Sequence, residues 1–264
     1  MLINFTLVPV EKVHPWGSPG NFSLSWFGLT DGQFWIRAGE STLFEYTDHA
    51  QVAGTTRYCD YQVVRLYEDL MEMLPHILEP LPASLFQYIS GDTGIAWLES
   101  YRLWAEQNAD HLKPDSYWEI IDASTTWIGK RSLDSAYLSP SANIVIWSDT
   151  ENVYFEWDNR TKIFKGQPAW TALRGTYKLP RNEFMAEIQS FHFRLMEQMA
   201  HRVGQVLSGA LAAEINIDLA GLEREQNERC GTLDRVLSSL VQTDWQSVEM
   251  AINEILNAQN CRPV

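Results

Sequence analysis

Six histidines, three cysteines and the run Lys130-Arg131-Ser132-Leu133-Asp134 are where reaction chemistry could reside in this 264-residue chain. The histidines, His14, His49, His76, His111, His192 and His201, form no HxH or HExxH pair. His192 and His201 are nine apart, which turns them to opposite sides of a helix. Cys59, Cys230 and Cys261 are odd in number and lack CxxC spacing, so neither a disulfide framework nor a zinc site is expected, and a reducing compartment fits them. No phosphate-binding glycine loop, GxGxxG or GxSxG elbow occurs. Ser132 stands among base-type side chains, but residues one and two apart in a strand do not converge on one substrate atom. Strand pairing could bring Asp134, Glu156 and Asp158 together as an acid/base pair. Arg131 with Asp134 or Asp158 reads more simply as a structural ion pair at a sheet edge. The residues call for no cofactor and no metal.

With 20 basic and 34 acidic residues the net charge is -14, and the excess is uneven: residues 58–128 hold 3 basic against 12 acidic side chains. Such a field repels nucleic-acid phosphates and anionic membrane and draws in a basic partner. No run approaches the roughly 18 apolar residues of a membrane span. The opening MLINFTLVPVEK has no basic start and no small-residue cleavage site, which points to the cytosol.

The elements that would position these groups follow from periodicity. Residues 2–9, 22–29, 33–38 and 42–47 read as short strands. From Asp60 the spacing becomes helical up to Pro75, a short helix follows within 78–88, and Trp97, Tyr101 and Trp104 mark another. Ser116 and Glu119 have capping-box spacing for a helix reaching Trp127. After Gly129, SLDSAYL, NIVIW, VYFEW and AWTALRGTYKL read as strands. Pro180 then opens a long helix striped by Phe184, Ile188, Phe191, Leu195, Met199 and Val203. Leu219, Leu222, Leu233 and Leu237 share one further helix. Trp245, Val248, Ile252 and Ile255 share another, opened by a box at Thr243 and Gln246.

Asp31-Gly32 is the strongest hairpin signal. A two-residue turn there would set Leu29 opposite Phe34 and Gly28 opposite Trp35, with Trp26 against the same indole, a pairing that makes Trp35 core. A second hairpin over 143–157 puts Ile144, Ile146, Phe155 and Trp157 on one face. Val145, Trp147, Tyr154 and Glu156 lie on the other, an aromatic face with a carboxylate as protein-binding surfaces have, unless a helix covers it.

The segments HPWG (14–17), WFGLTDGQFWI (26–36), RSLDSAYL (131–138), NIVIWSDTENVYFEW (143–157) and the run from Pro168 to Val203 resemble those of a bacterial domain-of-unknown-function family, as do IDLAGLEREQNERC and TDW near the end. The resemblance implies a bacterial cytosolic protein and brings no activity or catalytic residue with it.

The expected fold is α+β: an antiparallel sheet from residues 1–57 and 129–179, packed by helices. The expected units are a core domain over 1–210, carrying the acidic helical insertion 58–128, and a helical extension over 211–264. The expected function is non-catalytic protein binding, in its sharpest form an immunity-type protein that neutralises a basic toxin domain. Contacts are expected at Glu68, Asp69 and Glu72, which cluster off the apolar stripe of their helix, and at Trp147, Tyr154 and Glu156. The alternatives are a small-molecule enzyme with a cleft between sheet and helices, and a scaffolding protein.

Overall fold

A Cβ at Gly32 would collide with the Thr6 backbone, so its missing side chain lets the strand beginning there run against residues 3–7. Asp31-Gly32 is therefore not a hairpin turn. Residues Gly28–Thr30 form one turn of 3-10 helix, while Phe34 pairs with Phe5 and Ile36 with Ile3. The expected partners Leu29–Phe34 and Gly28–Trp35 do not form. The Thr30 hydroxyl donates to the Phe27 carbonyl at 2.7 Å, a local bond that competes with strand pairing. Trp35 is half-buried and stacks on Tyr58, ring centroids 4.1 Å apart. Trp26 is the central indole instead, donating to Gln226 Oε1 at 2.8 Å.

The computed structural model describes residues 1–110, 113–212, 214–239 and 241–260, so the expectations placed on His111 and Cys261 lie outside the described residues. The protein has an α+β fold. Its first half contains β1 (Ile3–Leu7), β2 (Phe22–Ser23), β3 (Gly32–Ala38), β4 (Ser41–Leu43), α1 (Asp48–Val52), β5 (Cys59–Asp60), α2 (Val63–Leu78), α3 (Phe86–Ile89), α4 (Gly91–Asn108) and α5 (Pro114–Gly129). Its second half contains β6 (Ile144–Ser148), β7 (Asn152–Asp158), β8 (Ile163–Phe164), β9 (Gln167–Pro168), β10 (Arg174–Pro180), α6 (Arg181–Leu207), β11 (Ile215–Asn216), α7 (Leu219–Cys230), α8 (Thr232–Leu237) and α9 (Trp245–Asn260). Among the described residues no helix is long and apolar enough to cross a membrane.

The two β-rich segments build two antiparallel sheets. In one, β3 pairs with β1 on one side and with β4 and β5 on the other. In the other, β7 lies between β6 and β10. The β6–β7 hairpin has the expected register, with Ile146 opposite Phe155 and Trp147 opposite Tyr154. The aromatic-over-glycine pair expected at Gly28 occurs here: Trp157 lies over Gly175 of β10, where a Cβ would enter the indole.

Two hydrophobic cores result. The larger gathers both sheets, α2, α6, α7 and α8, and all six stripe residues of α6 from Phe184 to Val203 are buried in it. The smaller lies on the outer face of β6 and β7, where α3, α4, α5 and α9 pack. The acidic segment 58–128 divides, α2 going to the larger core. Residues 211–264 divide too, α7 and α8 joining α6 and α2 while α9 joins α4 and α5.

Several local expectations shift for identifiable reasons. The strand expected over 22–29 keeps only Phe22 and Ser23. Helix α2 passes Pro75 and ends at Leu78, because the fully buried Ile77 offsets the one backbone bond proline removes. SLDSAYL is a loop with a single bridge, Ser132 to Val145, since the Ser135 hydroxyl both donates to the Ala142 carbonyl and accepts its N–H. Pro114, preset for a first helical turn, starts α5 ahead of Ser116. At α9 the carboxylate of Asp244 accepts from the Ser247 N–H at 3.1 Å, while Thr243 turns away to Glu79. The helix expected around Leu219–Leu237 is two, divided at Gly231.

Candidate functional site

The carboxylates of α2 are each engaged within the fold. Glu68 meets Arg229 of α7 at 2.8 Å, Asp69 meets Arg65 at 3.1 Å, and Glu72 meets Lys130 at 3.2 Å. Asp69 is only 6% exposed, because the 3.6-residue period brings it to the seam facing the loop after α5 rather than to water. Burial drives its pKa from 3.8 up to about 7, with Arg65 opposing the rise. Its Oδ2 and the Tyr137 hydroxyl are both buried, and neither has a partner with hydrogen-bond geometry. Glu72 remains well exposed, but Asp69 cannot serve as a rim charge, so reversing all three to lysine would disturb the fold.

The Trp147, Tyr154 and Glu156 face is covered. Trp147 is buried, stacks on Tyr154 at 4.2 Å and touches Phe86 of α3 at 4.9 Å. Glu156 accepts the Trp147 indole N–H at 3.1 Å and the Gly91 N–H at 3.0 Å, which satisfies one of the unpaired donors at the start of α4. Tyr154 donates to Asp149 at 2.7 Å, and that bond pushes its pKa up to about 12. These three residues dock helices onto the sheet.

The acid/base trio does not assemble around one point. Asp134 pairs with Arg65 at 3.0 Å, and Asp158 with Arg160 at 2.6 Å, whose hydrogen bond holds the Asp158 pKa down. Arg131 pairs with neither Asp134 nor Asp158. Its guanidinium is 0% exposed, donates to the Trp127 carbonyl at 2.9 Å, meets Glu79 at 3.2 Å and lies 5.3 Å from the Trp245 ring centroid. Glu79 also accepts both the N–H and the hydroxyl of Thr243 at 2.6 Å. The result is a buried link between α2, α5 and α9.

Two features place residues that the sequence reading had not singled out. A cleft of about 420 Å³ opens between α4 and the outer face of β6, β7 and β10, where the small core stops short of the sheet's end. Val145, Ile128 and Leu133 line its interior, and Ile95 and Leu98 stand 45% and 46% exposed at its lip. The signal was present in α4: Ile95 and Leu98, three apart, form a second apolar stripe beside Trp97, Tyr101 and Trp104. The other feature is the charge of this helical layer. Residues 91–129 hold seven carboxylates against Arg102 and Lys113, and all nine are exposed. On α5, Asp115, Trp118, Glu119 and Asp122 recur at i, i+3, i+4 and i+7, so they share one helix face with an indole that is 58% exposed.

A family model described as a family of unknown function (DUF5984) matches residues 2–251. No curated protein and no solved structure matches the chain.

Proposed function

The chain therefore belongs to DUF5984, a family of unknown function, and from that premise we propose that it is a non-catalytic protein-binding protein of the bacterial cytosol whose partner is basic. One observation carries this reading: the exposed α5 face in which Trp118 lies among Asp115, Glu119 and Asp122. Exposed indoles are favoured interface anchors and lie well against Lys or Arg, while surrounding carboxylates steer a basic protein inward. Among the described residues of α2, α4 and α5 the acidic charge without an ion pair lies on α5, at Asp115, Glu119 and Asp122, whereas the carboxylates of α4 pair with Arg174 and Arg102 and those of α2 with Arg229, Arg65 and Lys130. In its sharpest form the reading is an immunity-type protein that neutralises a basic toxin domain.

The test is capture of a partner from the native host, followed by surface plasmon resonance with the wild type and with Asp115, Glu119 and Asp122 reversed to lysine. The association rate should fall by about tenfold or more in the variant and with added salt, while dissociation changes little. Trp118→Ala should act mainly on dissociation. Rates indifferent to both salt and charge reversal would defeat the reading. A small-molecule enzyme has the cleft in its favour, but the carboxylates there, Glu156 and Asp158, are committed to docking α4 and to Arg160.

A further inference from the structure

We infer that the cleft between α4 and the outer face of β6, β7 and β10 seats an apolar side chain of that basic partner, with a lysine or arginine beside it in the partner's chain facing the Glu156 carboxylate. This rests on the protein-binding reading above. The cleft's 420 Å³ falls within the roughly 300–1,000 Å³ of ligand-holding pockets. Its wall is mostly apolar, and Ile95 and Leu98 at the lip leave apolar surface that the chain itself does not cover. The charged groups inside are engaged, Glu156 by Gly91 and Trp147, Arg174 by Asp92 at 2.7 Å and Asp158 by Arg160, while the buried indole N–H of Trp157 in the wall has no partner. The one cation of the lining, Arg174, is already paired with Asp92, so an apolar group gains more there by leaving water than an anion gains from charge.

Charge complementarity selects what accompanies that group. Asp92 at the lip is 82% exposed but pairs with Arg174, as Glu99 does with Arg102, so the carboxylate without a cationic partner is Glu156 of the cleft lining, which accepts only from the neutral Trp147 and Gly91 N–H groups. Asp92 and Glu99 belong to the layer over 91–129 whose seven carboxylates outnumber its cations. Ile95 and Leu98 of α4 and Ile128 of α5 line the cleft, so both helices of the acidic layer border it. Apolar anchors in pockets with charged rims are how a small number of residues carry most of the energy of an interface.

The experiment titrates the full chain with cyclohexylmethylamine, cyclohexylmethanol and cyclohexanecarboxylate, followed by nuclear magnetic resonance. Saturable shifts are expected at cleft residues, with affinity falling in the order amine, alcohol, carboxylate. Val145→Phe, which fills the floor, should weaken the amine and the captured partner by roughly tenfold each, as expected of an anchor contact. Leu98→Asn, an exposed change at the lip, gives the same readout should Val145→Phe fail to fold. Phe193→Ala, at an exposed site on α6, serves as the control. Absence of saturable binding, tightest binding of the carboxylate, or partner binding indifferent to both cleft variants would overturn the inference. If the partner binds both cleft variants normally but fails with the α5 reversal, the anchor fails and the protein-binding reading stands. If the amine binds as described and no basic partner is captured, the protein-binding reading fails and the cleft becomes a site for small amphipathic amines.

Discussion

At the scale of single residues, Asp69 is the side chain whose surroundings most change its chemistry. Its pKa is raised from 3.8 to about 7, so between those two pH values the folded protein holds a proton that the unfolded chain has released. Stability from this group is complete below pH 3.8 and is lost as pH rises toward about 7. Asp69→Asn removes that dependence. Urea midpoints at about pH 5 and about pH 8 should show the variant gaining on the wild type by about 3 kcal/mol, because a proton held by the folded state alone costs about 1.4 kcal/mol for each pH step of one between about 5 and about 7. Parallel behaviour of the two proteins would mean Asp69 is ionised throughout. His192 titrates in the opposite sense. Buried beside Tyr67, whose hydroxyl lies 2.8 Å from Nδ1, it has its pKa lowered by burial and adds a loss of stability on the acid side.

At the scale of elements, the junction of α2, α5 and α9 depends on one buried ion pair. Arg131 has no contact with water, and Glu79 receives its charge together with two donors from Thr243. Glu79→Gln leaves the guanidinium buried beside a neutral amide, and the expected cost is about 3–5 kcal/mol in urea unfolding. Pairing it with Arg131→Met should recover much of that loss, since no charge is then stranded. A double variant as unstable as Glu79→Gln alone would show that the hydrogen bonds to Thr243, not the charge, hold the junction.

At the scale of the whole molecule, two cores share one sheet, and α9 closes the smaller one by packing on α4 and α5. Ending the chain before Trp245 uncovers Ile121, Trp127 and their neighbours, while the larger core retains both sheets, α2, α6, α7 and α8. Hydrogen exchange should then show protection lost in α4 and α5 and kept in α6 and β7, because stability is distributed in cooperative units. Uniform loss of protection would mean that the two cores unfold as one. The same truncation should weaken any partner that binds the α4–α5 layer.

The α6 stripe and the β6–β7 register were legible in the sequence because helical and strand periods act locally: six apolar residues at helical spacing, and alternation around a polar turn, leave few arrangements. So were the α+β class and the concentration of acid in 58–128. The Asp31-Gly32 hairpin fails to form because Asp-Gly is a local signal and the partner of β3 comes from the more distant residues 3–7. Gly28 and Gly175 look alike in sequence, and only pairing decides which one lies beneath a tryptophan. Likewise Asp69, Glu72 and Asp115 are the same kind of side chain on the same kind of element. Arg65 reaches the first from one turn away on the same helix, but tertiary packing alone buries that carboxylate, pairs the second with Lys130 and leaves the third in water, because burial is a property of what lies across the interface.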